Sequence, residues 1–228
     1  MYRLGCFTLA IALFLAVLCP LLFYGAVKTA LVKLGVPPDM ALLVFLGILI
    51  GGAINIPLYK VPYEKFVRTD PLAIAGLAGL FPHFEERRLH AVVAVNVGGC
   101  LIPSALAAYQ IYRLATGENA SSALAACAIA AALNIAVCWK LARPVPGVGI
   151  ALPGLVPPLL AAASALIIAR ENAPSVAYVA GVLGPIVGAD LLHLKDVKVS
   201  PVGMASIGGA GTFDGIVLSG VLATLLVW

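Results

Sequence analysis

The chain has 228 residues, 62% of them apolar and 11% charged, and its mean hydropathy is +1.09. Soluble domains run at about 45–50% apolar and about 25% charged, so these values exclude a water-soluble globular fold and also a disordered or coiled-coil chain. The formal charge of +4 acts as an orientation signal in such a chain, which makes the lipid bilayer the expected partner and nucleic acid an unexpected one.

In chain order the apolar runs predict an all-α fold, a polytopic membrane bundle of about seven transmembrane helices that forms one integral-membrane domain over residues 1–228. At roughly 20 residues per crossing, the spans read as Leu4–Tyr24, Met40–Leu58, Ala91–Tyr112, Ser121–Trp139, Ile150–Ala169, Ser175–Leu192 and Ala205–Trp228. Pro37-Pro38 opens the second and Pro174 the sixth, since proline belongs at helix starts. The longest connection is Tyr59–His90; its apolar stretch Pro71–Pro82 is too short to cross and is expected to be interfacial or re-entrant. The side holding the N-terminus carries Arg3, Lys60, Lys65, Arg68, Arg87, Arg88, Lys140, Arg143, Lys195 and Lys198, against Lys28, Lys33, Arg113 and Arg170 on the other. The positive-inside rule then places the N-terminus and the loop 59–90 in the cytoplasm and Trp228 outside a cytoplasmic (inner) membrane. The five cysteines are scattered with no C-x-x-C spacing and read as small core hydrophobes.

Proline and glycine cluster within these spans. Gly51-Gly52-Ala53-Ile54-Asn55-Ile56-Pro57 ends the second, and Asn96-Val97-Gly98-Gly99-Cys100-Leu101-Ile102-Pro103 lies inside the third. Pro153-Gly154 opens the fifth, Gly184-Pro185 interrupts the sixth, and the stretch Gly203–Gly211 at the start of the seventh is expected to be partly unwound. Non-helical backbone at membrane depth is tolerated only when buried in protein or lining a wet cavity. The clusters therefore predict an internal polar cavity with Asn55, Asn96 and Asn134 as its amide lining. Pro153, Gly154, Gly188, Gly209, Gly211, Thr212 and His193 are expected around it.

Of the ten acidic residues, eight fall in connections and Asp190 and Asp214 fall inside spans. A carboxylate in mid-bilayer costs about 2.5–3.5 kcal/mol, and its default reading is functional. On a regular hairpin of the last two spans each aspartate lies twelve residues from Val202, which puts both at similar depth toward the cytoplasmic face. Facing carboxyls share one proton, an arrangement in which one carboxylate activates water while its partner acid protonates a carbonyl; it equally suits a proton-coupled carrier. No Walker loop, G-x-S-x-G or H-E-x-x-H occurs, and His83, His90 and His193 are scattered, so no metal and no cofactor are expected.

Gly52…Asn55-Ile56-Pro57, Asn96-Val97-Gly98-Gly99…Ile102-Pro103, Ala151-Leu152-Pro153-Gly154-Leu155, Gly188-Ala189-Asp190-Leu191-Leu192 and Gly208-Gly209-Ala210-Gly211-Thr212-Phe213-Asp214-Gly215-Ile216 together resemble a prokaryotic membrane family known only as a domain of unknown function. That resemblance runs from about residue 40 to residue 225 and implies no activity. The two aspartates on consecutive helices also resemble, in part, the pair of the intramembrane aspartyl proteases of the presenilin, signal peptide peptidase and prepilin peptidase group. This implies Asp190 and Asp214 as catalytic carboxylates acting on transmembrane peptides. Two expectations follow: an intramembrane aspartyl hydrolase, or a small proton-coupled transporter or channel that uses the same carboxylates on a small molecule or ion.

Overall fold

The computed structural model describes residues 2–69, 83–145, 149–195, 204–209 and 215–228. It is mostly helical, with α1 at Tyr2–Lys33, α2 at Pro38–Gly51, α3 at Ile102–Ala115, α4 at Ala120–Leu141, α5 at Val156–Ile168, α6 at Ala173–Leu183 and α7 at Gly215–Leu226. The alanine-rich α4 is the longest run free of Gly and Pro, a composition that favours unbroken helix. Among the described residues two helices are long and apolar enough to cross a membrane: α4, and the continuous helix Arg170–Leu191 that contains α6. Twenty-two residues at 1.5 Å each give about 33 Å, which matches a hydrocarbon core of about 30 Å.

The all-α expectation fails at the connection 59–90. β1 at Asn55–Thr69 and β2 at His83–Asn96 form an antiparallel hairpin, in register from Asn55↔Asn96 out to Thr69↔His83. The reason is composition: Tyr59-Lys60-Val61-Pro62-Tyr63-Glu64-Lys65-Phe66-Val67 and Val92-Val93 are rich in β-branched and aromatic residues, which suit a pleated surface. The predicted third span Ala91–Tyr112 accordingly begins as strand, turns at Asn96 into a π-helix over Val97–Leu101, and only then becomes α3. The second predicted span stops as helix at Gly51, and the fifth is helical only from Val156, after the small hairpin of β3 (Arg143–Val145) and β4 (Gly149–Ala151). In the seventh, β5 at Met204–Ile207 pairs parallel to β2, Val92↔Met204 to Val95↔Ile207, and α7 begins at Gly215. The expected unwinding of Gly203–Gly211 is therefore seen at β5. The stretch Pro71–Pro82 lies outside the described residues.

Helix α6 is the hub. Val176, Ala177, Tyr178, Val179, Ala180 and Val182 are all buried, so it is covered on every side, as a helix apolar all round must be. Small residues set the spacing around it: a Cβ at Gly181 would stand 2.9 Å from the Ser219 carbonyl oxygen, and one at Gly220 would stand 2.7 Å from Val182. Close backbone approach of this kind is how helices associate where lipid removes the hydrophobic drive. The outward faces are apolar too; Ile167 is 81% exposed and Ile50 65%, with Leu43, Ile129, Leu133 and Leu159 also exposed.

Hydrogen bonds tie the helix ends together. Lys33 Nζ donates to the carbonyls of Leu225 (3.2 Å) and Val227 (2.6 Å). Gln110 Nε2 donates to the Leu34 carbonyl at 3.1 Å, Arg113 donates to the same oxygen, and Ser175 Oγ donates to Gln110 Oε1 at 2.8 Å. The ends of α1, α3 and α7 thus meet the start of α6.

Candidate functional site: a polar junction at Asp190

At the opposite end of α6 the chain breaks repeatedly, and its freed backbone groups converge. Helix α2 ends at Gly51-Gly52 and β1 starts at Asn55. Asn96, fully buried at the end of β2, donates from Nδ2 to the Gly52 carbonyl (2.8 Å) and to Asn55 Oδ1 (3.1 Å). Its Oδ1 accepts the Gly99 N–H at 2.7 Å and so caps the first π-helix, since a helix start leaves N–H groups without internal partners. Ser206 of β5 donates to Asn55 Oδ1 at 2.6 Å. Gly98 packs on the Ile48 carbonyl and on Gly51-Gly52. A side chain there would meet backbone, which explains the paired Gly-Gly and Asn motifs.

Asp190 sits near the end of a second π-helix, Gly184–Leu191, opened by Gly184-Pro185. Proline supplies no N–H and disturbs the regular ladder, and π-segments recur at functional sites. The Asp190 side chain is half-buried, and its Oδ2 accepts the Gly208 N–H at 3.0 Å. Gly208 follows β5 with φ of +69°, a left-handed conformation that glycine adopts freely. A Cβ on it would lie 2.6 Å from the carbonyl carbon of Gly99 and 2.8 Å from Cys100 Cβ. The turn after β5 is therefore wedged between the two π-helices, with its N–H on Asp190. Among the described residues no protein donor reaches Asp190 Oδ1. The carboxylate is anchored through Oδ2 by a backbone N–H, and a carboxylate so positioned is a group that can exchange a proton.

The structure brings Asn55 and Asn96 together but not with Asn134. Asn134 is buried at the crossing of α4, α5 and α6, where its Nδ2 donates to the carbonyls of Pro157 (3.2 Å) and Ala180 (2.8 Å) and its Oδ1 accepts from the Cys138 thiol. All three amides are engaged in bonds that hold elements together. Gly188 lies against α4, where a Cβ would meet the Ile135 carbonyl and stand 2.7 Å from Cys138 Cβ. His193 Nδ1 stands 3.1 and 3.0 Å from the carbonyls of Gly188 and Ala189. Because both are acceptors, Nδ1 carries a proton. Gly209 is exposed in the turn, and Pro153 and Gly154 are exposed in the turn before α5. Asp214, Gly211 and Thr212 lie outside the described residues. Among the described residues no three His, Cys, Asp or Glu side chains gather as metal ligands.

Sequence reasoning missed Ser206, the Gly52 carbonyl and the Gly208 N–H. A lone serine in Met204-Ala205-Ser206-Ile207 has no distinguishing spacing, and backbone groups have no letter of their own; only the unusual density of Gly-Gly pairs pointed to them.

The family described as Protein of unknown function (DUF1614) matches residues 49–226, a range that takes in both Gly-Gly and Asn motifs, both π-helices and Asp190. No curated protein and no solved structure matches the chain, and the resemblance to intramembrane aspartyl proteases gains no support from the comparisons. The chain belongs to the DUF1614 family.

Proposed function

We propose that the chain is a seven-span protein of the cytoplasmic membrane, with its N-terminus inside and Trp228 outside, and that it is an intramembrane aspartyl hydrolase in which Asp190 and Asp214 activate water against a peptide bond of a membrane-embedded substrate. The membrane reading is supported by the apolar exterior, since monomeric soluble proteins rarely expose contiguous apolar patches beyond a few hundred Å². It is also supported by the meeting of the ends of α1, α3 and α7 with the start of α6, as alternating spans require.

One observation carries the hydrolase reading: the bond from the Gly208 N–H to Asp190 Oδ2. It ties to Asp190 the chain six residues ahead of Asp214, a length that reaches at most about 20 Å. On the far side, α7 starts one residue after Asp214 and packs against the π-helix that carries Asp190. In the reaction one carboxylate takes a proton from the attacking water and the other, as the acid, protonates the carbonyl oxygen. Asn96 and Asn134 spend their amides on internal bonds and Asn55 its Oδ1, which favours this reading over a carrier that would need them for a ligand. The carrier reading draws instead on the two π-helices flanking Gly208, because discontinuous helices at the binding site are a transporter device.

The test is cleavage of a transmembrane reporter peptide by the purified chain in liposomes, with Asp190→Asn and Asp214→Asn beside the wild type. Loss of cleavage in both variants is expected. Full cleavage by Asp214→Asn overturns the pair, and proton flux without cleavage, lost in Asp190→Asn, replaces the hydrolase with the carrier.

A further inference from the structure

We infer that His193 is the positioning residue of Asp190: its imidazole holds the segment Gly184–Leu191 in π register, the register in which the carboxylate meets Gly208. The bonds at the end of the segment carry the argument. In a π-helix each N–H reaches the carbonyl five residues back, and in an α-helix the carbonyl four back. The last backbone bond of the segment runs from the Leu192 N–H to the Val187 carbonyl at 3.0 Å, which is the π spacing. In α register the Leu192 N–H would take the Gly188 carbonyl, and the His193 N–H would take that of Ala189. Those two oxygens are the ones that His193 Nδ1 approaches, at 3.1 and 3.0 Å. One ring N–H thus serves both acceptors that the competing register needs, at a helix end whose carbonyls lack internal partners.

The start of the segment is held in the same way. Pro185 has no N–H, and the carbonyl five residues before it, that of Ala180, accepts from Asn134 Nδ2 at 2.8 Å. Between the two ends Gly188 lies against α4, where a Cβ would meet the Ile135 carbonyl. Because π geometry is rare, a segment of eight residues calls for such support. Register also decides where Asp190 points. An α-helix turns about 100° per residue, and a π-helix turns less because its rings close over more residues. The difference accumulates from Gly184 to Asp190. A return to α register therefore swings the carboxylate around the helix, away from the Gly208 N–H that Oδ2 accepts at 3.0 Å. Gly208 itself is packed against Gly99 and Cys100, which holds the donor in place. The register is independent of the hydrolase reading, whereas its consequence for cleavage rests on that reading.

The test compares the full chain in detergent with three variants. His193→Leu removes the ring N–H, His193→Gln keeps an N–H but at the place of Nε2, and His193→Asn keeps one at the place of Nδ1. Hydrogen exchange is read at the Gly208 amide and across Val176–Val182 of α6, beside cleavage of the transmembrane reporter peptide. In His193→Leu and His193→Gln the Gly208 amide is expected to exchange about tenfold faster, while Val176–Val182 keeps its wild-type protection. In both, kcat is expected to fall about 10²-fold with KM within about twofold of wild type. His193→Asn is expected to restore both readouts. Should His193→Leu fail to fold, His193→Gln decides. Unchanged exchange at Gly208 overturns the positioning role. Faster exchange spread through Val176–Val182 does so too, since it marks a residue that only stabilises its helix, and so does an Asn variant that behaves as the Leu variant. Faster exchange at Gly208 with unchanged cleavage upholds the register and removes Asp190 from the reaction. If no protein cleaves the reporter, wild type included, the hydrolase reading falls and exchange alone decides the register.

Discussion

At one end of the bundle Lys33 donates to the last carbonyls of α7, and Gln110 and Arg113 donate to the carbonyl that ends α1. At the other, Asn96 bonds the Gly52 carbonyl, Asn55 and the Gly99 N–H, while Asp190 accepts from Gly208. The contrast follows from what each end leaves open. Helices that run out whole leave carbonyls at their C-termini, so N–H donors close them, and the cations Lys33 and Arg113 complement the helix dipole as well. Chain that breaks into strand and π-helix exposes N–H and C=O side by side, and an amide, which donates and accepts, fits both. A carboxylate only accepts, and here it spends one oxygen. The first end is held by donors on spent carbonyls, whereas the second is held partly through a carboxylate, a group that can also exchange a proton.

The comparison breaks most sharply at Asp190. Asp190→Asn keeps an acceptor for Gly208 and is expected to fold, while cleavage of a reporter peptide falls about 10²–10⁴-fold, the usual worth of a general acid or base. An unchanged rate would make the second end as structural as the first. Next comes Asn96→Leu, which leaves the Gly52 carbonyl, the Gly99 N–H and Asn55 Oδ1 without their amide. Each group that finds no substitute costs about 1–3 kcal/mol, read as a lowered Tm in detergent. Gly98→Ala, whose Cβ meets backbone, is expected to cost about 1–3 kcal/mol by overpacking. Gly154→Ala, with nothing within 4 Å, should stay within about 0.5 kcal/mol of wild type. Equal losses in the two glycine variants would refute the close-approach account. The smallest effect is expected at the closed end: Lys33→Met removes a cation from a helix C-terminus, worth about 0.3–1 kcal/mol and shrinking with added salt. A loss there larger than that of Asn96→Leu would invert the comparison.

What the sequence made legible follows the same division. The predicted span Ser121–Trp139 falls within two residues of helix Ala120–Leu141 at both ends, because uninterrupted Ala and Val leave little competing structure. Ser175–Leu192 ends one residue from the end of helix Arg170–Leu191 but starts five residues after its beginning. Ala91-Val92-Val93-Ala94-Val95 reads equally well as buried helix or buried strand. Its pairing with β1 and with β5, more than a hundred residues on, decides the matter and is invisible locally. Asp190 stood out because a charge within an apolar run is costly. Ser206, by contrast, is defined by a partner 151 positions away.

Lys33 adds a constraint in time. Its acceptors at Leu225 and Val227 lie 192 and 194 residues later, so at about 5–20 residues per second roughly 10–40 s of synthesis separate the ammonium from its partners. Until then its long flexible stem lets the charge reach water. Packing of Phe23 and Tyr24 against Phe45 and the bonds from Gln110 and Arg113 to Leu34 become available far sooner, so α1 is seated in stages and the lysine supplies the late stage.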